Sequence, residues 1–485
     1  MIKINISNNT PDDSSLVLLA TAESNFKNCG LSVDEIKYIK KQIDAKLDYI
    51  TLNRCGKWIF VQLVNTANDA AKEREKMRRD ACKLQQRVTK QKIQSVAIVD
   101  MVCNVDLVCA FAEGIVLSNY QFLKYTTKRD EKQYSLSELT IVGSFDAGIE
   151  ENVLYSLSRQ VDCLNVVIEA VYKARDLVNE PATVITPTRL AEEFEAMGKD
   201  AGFDVQVFDK TAIENMKMGG ILAVNRGSKE APTLSVLEWK PEIAKNKRKI
   251  VLVGKGLTYD TGGHSLKTGN YMNDMKSDMA GGAAVAAIIN AVAKAQLPIN
   301  VVGIVPSTDN RISADAISPG DIITMYDGTT VEVANTDAEG RLILADALVY
   351  AKKYDPELVI SIATLTGAAQ RAVGDKGMAA MGNASQETIQ KLKNCGEEVH
   401  ERLVEFPLWD EYDEEIKSEI ADLKNIGSDY AGMITAGKFL EHFTSYPFIH
   451  LDIAGIAFAK ESTTYRGKGG TGAGVRLIFD FLKKY

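Results

Sequence analysis

The chain has 485 residues, 45% of them hydrophobic and 25% charged, with a formal net charge of −8. This length predicts about two to four domains, and the hydrophobic share excludes a wholly disordered chain. The acidic balance disfavours wholesale nucleic-acid binding, and no apolar run reaches the roughly 18 residues of a membrane helix.

In chain order, Ser15–Ala22, Lys57–Val64, Ser95–Met101 and Glu138–Ser144 are short apolar runs that predict strands. Val33–Lys46, Ala67–Gln91 and Val105–Leu117 have helical composition, and Glu151–Val178 reads as a long amphipathic helix. Such alternation predicts a mainly parallel sheet with helices on its faces. Between Lys72 and Lys92 nine Lys/Arg face three acids, which reads as a solvated face with pairs such as Glu75 with Arg79. A phosphate-backbone patch is the sharper alternative there.

Asn179-Glu180-Pro181, with Pro187 after it, ends the long helix. The chain then divides into an N-terminal α/β domain (1–150), a connecting helix (151–178) and a larger C-terminal domain (179–485). Beyond the boundary, Pro187–Ala201 predicts a helix and Asp204–Phe208, Leu234–Trp239 and Lys249–Gly254 predict strands. Asp278–Ala295, rich in Ala and Gly, predicts a helix packed closely on a sheet. Asn300–Pro306 reads as a buried strand, Ile322–Val333 as a hairpin turning at Asp327-Gly328, and Arg341–Lys353 as a helix. Leu358–Thr364 and Phe448–Ile453 predict further strands, Glu387–Leu403 a helix, and Phe439–Phe443 part of another.

The N-terminus, MIKINISNNTPDD, lacks the apolar core of a signal peptide, so a cytoplasmic location is expected. The cysteines are odd in number and form no C-x-x-C pair, which suits buried thiols better than a zinc or disulfide framework. The four histidines form no H-E-x-x-H, so a metal would be held mainly by carboxylates.

The chemistry concentrates between Val251 and Leu348. Asp260, Asp278, Asp337 and Glu339 carry four negative charges that would repel if packed together. Two divalent ions cancel that sum, which is the balance of a two-metal hydrolytic centre. Asp260 follows a predicted strand, where ligands gather in open parallel sheets. Asp278 stands where a helix begins, and Asp337 and Glu339 share a face if their segment is extended. Lys255 and Lys267 would either bind metal as neutral amines or face the substrate, and Arg341 should hold an anion. Alone, the acids of T-D-A-E-G-R could merely cap the following helix. Asp274 and Lys276 read as surface residues, and His264 as no ligand. Gly469–Gly474 looks like a dinucleotide loop, but coil rather than strand precedes it.

The segments VGKGLTYDTGG, SLK, MKSDMAGGAAV and NTDAEGRLILADAL together resemble the leucine (cytosol) aminopeptidase family, as do ATLTGA, ADLKNIG, HLDIAG and TGAGVR. The resemblance covers roughly 170–485. It implies a macro-like N-terminal α/β domain joined by a long helix to an α/β catalytic domain with a mixed, mainly parallel sheet. It implies one metal on Lys255, Asp260, Asp278 and Glu339, and a second, more exchangeable one on Asp260, Asp337 and Glu339, the pair being Mn or Zn. Lys267 would polarise the scissile carbonyl, and Arg341 would hold a bicarbonate acting as general base. Met275, Asn335, Thr364, Leu365, Gly367 and Ala454 would line the substrate site. The family assembles as homohexamers and cleaves short peptides at the N-terminus. Met275 suggests an apolar, Leu- or Met-like preference, while His264 stands where the family pattern has an apolar or aromatic residue. Two alternatives are a phosphoesterase on a carboxylate-rich site, and a second, DNA-binding role through Lys72–Lys92, known for some bacterial members.

Overall fold

The computed structural model describes residues 1–27, 29–64, 69–143 and 151–485, with no side-chain description for 151–154. The chain separates into two compact units, one of Met1–Glu169 with Ser462–Gly467, the other of Ala170–Glu461 with Lys468–Tyr485. The long helix Glu151–Asn179 contributes to both.

The first unit holds a six-stranded sheet whose neighbours, edge to edge, are Ile4–Ser7, Glu138–Val142, Ser95–Asp100, Ser15–Ala20, Lys57–Leu63 and Tyr49–Arg54. Only Tyr49–Arg54 runs antiparallel to its neighbour, Lys57–Leu63. Predicted residues 67–68 of the basic helix and 144 of the last strand lie outside the described residues. That helix spans Ala70–Lys90, with Asp69 accepting from Lys72 N at its N-cap. Its interior side buries Met77, Ala81, Leu84 and Val88, spaced three and four apart as a packed helix requires.

The second unit is built on a nine-stranded mixed sheet. Ile250–Gly254, Val301–Asn310, Leu358–Ala363 and Phe448–Asp452 run parallel through its centre, and Gly256–Asp260 pairs parallel with the far half of Val301–Asn310. The antiparallel pairs Thr233–Trp239 with Val301–Asn310, Asp204–Phe208 with Thr233–Trp239, and Met378–Gly382 with Phe448–Asp452 make it mixed.

Side chains alternate across the central strands. One set, including Val251, Val253, Val302, Ile304 and Val359, joins the core formed with helices Gly219–Asn225, Glu339–Ala351 and Gly432–His442. The other face takes helix Ala280–Lys294, whose small residues permit close approach. A Cβ on Gly281 would lie 2.0 Å from Ile362 O, and one on Gly254 would lie 2.6 Å from Gly281 O. The predicted mainly parallel α/β architecture is therefore the observed one.

One expectation needs correction. The predicted helix Glu387–Leu403 stops at Val399, where His400 adopts φ 55° and the chain reverses into the edge strand Leu403–Glu405. The Gly469–Gly474 loop does lack a preceding strand, and it leads into helix Val475–Lys483. There the buried carboxylate of Glu401 accepts from Gly474 N (3.1 Å) and Leu477 N (3.0 Å), occupying the helix's own N-terminus. Among the described residues no helix is long and apolar enough to cross a membrane.

Candidate metal centre

The carboxyl ends of the parallel strands converge, and the site is assembled from the loops that leave them. Gly254 ends one strand and Lys255 follows it directly, its amide bonded to Ile362 O (3.1 Å) and its carbonyl to Gly282 N (2.7 Å). Asp260 closes the short strand Gly256–Asp260 opposite Asn310. Its Oδ1 accepts from Gly262 N (2.8 Å) and Asn310 Nδ2 (2.9 Å), leaving Oδ2 for the site. Gly262, at φ 85°, lets the chain turn back at once; a Cβ there would lie 2.9 Å from Asp337 Oδ1.

Asp278 sits in the 3-10 turn Met275–Met279 just before helix Ala280–Lys294, rather than in the helix itself. Its Oδ1 accepts from Thr364 Oγ1 (2.6 Å) and its Oδ2 lies 2.7 Å from Lys255 Nζ. Asp337-Ala338-Glu339 is not extended: Asp337 lies in a turn, and Glu339 is the first residue of helix Glu339–Ala351. Turn and helix start bring the two carboxylates together as an extended segment would have. Neither caps the helix, since Ala338 holds the N-cap position without a side-chain hydrogen bond.

Ligand atoms of Asp260, Asp337 and Glu339 all lie within 4.8 Å of one another. Two lysines bind this acidic cluster. Lys255 Nζ is 2.7 Å from Asp278 Oδ2, 2.9 Å from Glu339 Oε1 and 3.2 Å from Thr364 O. Lys267 Nζ is 2.7 Å from Asp260 Oδ2 and 2.6 Å from Asp337 Oδ1. Burial disfavours both ammonium ions, but the surrounding carboxylates outweigh it and raise both pKa values. Burial, together with the neighbouring carboxylates, pushes Asp278 and Asp337 up to about 7 and raises Glu339.

This donor set suits divalent cations. The oxygens are hard, they are crowded enough to retain protons near neutrality, and Glu339 Oε2 is buried with no hydrogen-bond partner among the described residues. Arg341, on the first turn of the same helix as Glu339, is also buried, and its Nε and Nη1 have no hydrogen-bond partner there. Burial lowers its pKa to about 10, so it remains a guanidinium with donors to offer an anion.

Of the six residues expected to line the substrate site, Met275, Thr364 and Asn335 are tied directly to the segments that carry the carboxylates. Met275 opens the turn that carries Asp278. Thr364 bonds both Asp278 and Lys255. Asn335 Oδ1 accepts from Asp337 N (2.7 Å), so part of its side chain serves the loop. Leu365 and Ala454 are tied together by the buried Asp452, whose Oδ1 accepts from both backbone amides at 3.1 Å. Its Oδ2 accepts from Thr366 Oγ1 (2.7 Å), which also caps the helix beginning at Gly367.

Sequence reasoning overlooked Asp452, Asn310 and Asn425. Asn425 is fully buried; it accepts from Ala334 N (2.9 Å) and Asn335 N (3.2 Å) and donates to Asn335 O (2.7 Å) and Ala338 O (3.3 Å). The only sequence signal was that Asn425 and Asp452 lie inside the ADLKNIG and HLDIAG segments.

His264 stands apart from the carboxylates, its Nδ1 2.9 Å from Ile317 O and 3.2 Å from Ser318 Oγ. Because Ile317 O can only accept, Nδ1 is the nitrogen that carries the proton. Asp274 and Lys276, expected at the surface, are half-buried, and Lys276 Nζ donates to Asn179 O.

The basic helix is largely neutralised. Arg78 is buried against Glu113 (2.5 Å), Arg79 pairs with Glu75 (2.7 Å), and Lys76 and Lys83 both pair with Asp80 (3.2 and 2.8 Å).

Residues 172–479 match the Cytosol aminopeptidase family, catalytic domain. A probable cytosol aminopeptidase of Chloroherpeton thalassium is 43% identical over 387 residues, spanning 77% of this chain and 74% of its own. One from Chlorobium limicola is 38% identical over 481 residues, spanning 94% and 92%. Among solved structures, a point mutant of tomato leucine aminopeptidase is similar at TM-score 0.85 and 27% identity, covering 100% of this chain and 97% of the other. The bottromycin maturation enzyme BotP in complex with Mn is similar at TM-score 0.83 and 26% identity, covering 97% and 99%.

Proposed function

The chain belongs to the cytosol aminopeptidase family and is therefore a metal-dependent aminopeptidase, and we propose that it releases apolar N-terminal residues from short peptides using two divalent cations. The single observation that carries this reading is the convergence of Asp260, Asp337 and Glu339 within 4.8 Å. Such a cluster is electrostatically costly unless cations share it.

Asp260, Asp278 and Glu339 would hold one ion together with Lys255, which must release its proton to solvent to serve as a neutral amine, and Asp260, Asp337 and Glu339 would hold the other. Mn or Zn is the proposed metal; BotP, a structural relative, is seen with Mn. Bound there, the cations supply Lewis acidity toward water and the peptide carbonyl. Lys267, an ammonium in this setting, donates to the carbonyl oxygen as negative charge develops on it. Arg341 contributes its unpartnered donors to a small anion, for which bicarbonate is the proposed species, beside the reacting water. Met275, Asn335, Thr364, Leu365, Gly367 and Ala454 position the substrate, with Asp452 fixing the Leu365 and Ala454 backbones against each other. Residues 179–485 constitute the catalytic domain in this reading. A homohexamer and a cytoplasmic location follow from family resemblance alone.

The test is a metal-content assay paired with a panel of unblocked and N-acetylated dipeptides and aminoacyl amides. Wild type should cleave the unblocked apolar members only, lose activity to chelator and regain it with Mn or Zn. Asp260→Ala should be inactive. If metal-loaded wild type cleaves phosphate esters and no peptide, the phosphoesterase reading replaces this one.

A further inference from the structure

Two of the three clustered carboxylates already share a cation that belongs to the chain. Lys267 Nζ lies 2.7 Å from Asp260 Oδ2 and 2.6 Å from Asp337 Oδ1, inside the group that Glu339 completes. These are ion-pair contact distances. An ammonium and a dication at contact with the same oxygens compete for them, because like charges that close repel strongly even at a screened interior dielectric.

The two lysines are not equivalent in this respect. Lys255 is almost completely buried, its Nζ held by Asp278, Glu339 and the Thr364 carbonyl. Lys267 retains 15% side-chain exposure and rises from a loop. That loop is anchored independently of the lysine side chain. Lys267 N donates to Thr261 O (3.0 Å), Ser265 N to Thr336 Oγ1 (2.7 Å), and His264 Nδ1 to Ile317 O (2.9 Å). The flexible four-carbon stem of Lys267 can therefore swing while its base stays fixed.

We propose that Lys267 is a built-in competitor for the more exchangeable cation: its ammonium neutralises Asp260 and Asp337 until a dication takes those oxygens, and only then turns to face the substrate carbonyl. This rests on the two-metal reading above. It gives the exchangeable cation a weaker apparent affinity than its oxygen ligands alone would confer. It also keeps Lys267 out of its substrate-facing position until the site is loaded. A residue that only touches substrate would leave cation affinity unchanged, and a metal ligand would lower it on removal; Lys267 should raise it on removal.

The experiment titrates Mn²⁺ into chelator-stripped full-length protein by calorimetry, with free Mn²⁺ counted in parallel by electron paramagnetic resonance. Wild type, Lys267→Met and Lys267→Arg are compared. Lys267→Met should bind the weaker cation about tenfold or more tightly, with the tighter site changed far less. Lys267→Arg, which keeps the charge, should stay close to wild type.

Equal or weaker binding by Lys267→Met overturns the proposal while leaving the metal reading intact. Failure of wild type to bind Mn²⁺ at all removes the metal reading itself. Should Lys267→Met not fold without metal, amine labelling of wild type decides. Reaction of Lys267 with a small acylating reagent, read by mass spectrometry, should rise on Mn²⁺ loading. Unchanged or reduced labelling refutes the exchange.

Discussion

Gly340→Ala would add one methyl group at the most crowded point of the centre. A Cβ there would lie 2.4 Å from Lys255 Cε and 2.7 Å from its Nζ. Ordinary contacts between carbon atoms need about 3.5–4.0 Å, so something must move by roughly 1 Å. The lysine cannot give freely, since its ammonium is held at 2.7, 2.9 and 3.2 Å by Asp278, Glu339 and Thr364 O. The backbone cannot give either without carrying Glu339, its immediate neighbour. Helix propensity alone predicts a gain of about 0.5–1 kcal/mol for Gly→Ala within a helix. Overpacking costs about 1–3 kcal/mol and should win, lowering the melting temperature by a few degrees. Displacing Lys255 from its carboxylates should also reduce Mn²⁺ affinity or activity by about 10–100-fold. Thermal unfolding, Mn²⁺ titration and hydrolysis of a leucyl amide measure these effects, with Gly432→Ala as control because its Cβ would meet only an ordinary 3.5 Å contact. A Gly340→Ala protein within twofold of wild type on both affinity and rate would show that Lys255 is not held as described.

Stability should depend on pH and metal together. Burial first, and neighbouring carboxylates second, raise Asp278 and Asp337 to about 7. The native state then binds more protons than the unfolded state between roughly pH 4 and 7, so the metal-free fold loses stability as pH rises through that window. The rise in melting temperature on adding Mn²⁺ should accordingly be larger at pH 8 than at pH 5; equal rises would contradict the crowding. Asn425→Ala should leave several backbone groups of the 334–338 loop unpartnered, costing about 1–3 kcal/mol and weakening Mn²⁺ binding, both readable in one metal-dependent melting series. Arg78→Ala should destabilise the N-terminal unit by about 3–5 kcal/mol by breaking its buried ion pair with Glu113. A test of DNA binding therefore belongs at the exposed Lys90 and Lys92, where charge reversal should leave the melting temperature nearly unchanged.

Strands written as apolar runs were readable in the sequence because burial on both faces demands them, as in Ile250–Gly254 and Leu358–Ala363. Gly256–Asp260 was missed because a short strand that ends in an acidic side chain and pairs on one side needs little apolar character. Met378–Gly382, rich in Ala and Met, has no β-branched signal and is specified by its partners. The acidic cluster could be anticipated from charge balance, and the lysines from their place among the acids. How Asp337 and Glu339 meet could not, because a turn and a helix start serve as well as an extended segment. Asp452 and Asn425 were invisible for a different reason. Each acts across some 90 residues of chain, through hydrogen bonds that leave no local pattern.

The Glu401 carboxylate seated at the start of helix Val475–Lys483 gives the glycine-rich Gly469–Gly474 segment its own resident anion. A phosphate entering there would have to displace a buried, covalently tethered carboxylate. The loop that most resembles a nucleotide cradle is thus sealed from within, and cellular nucleotide levels should leave this part of the molecule indifferent.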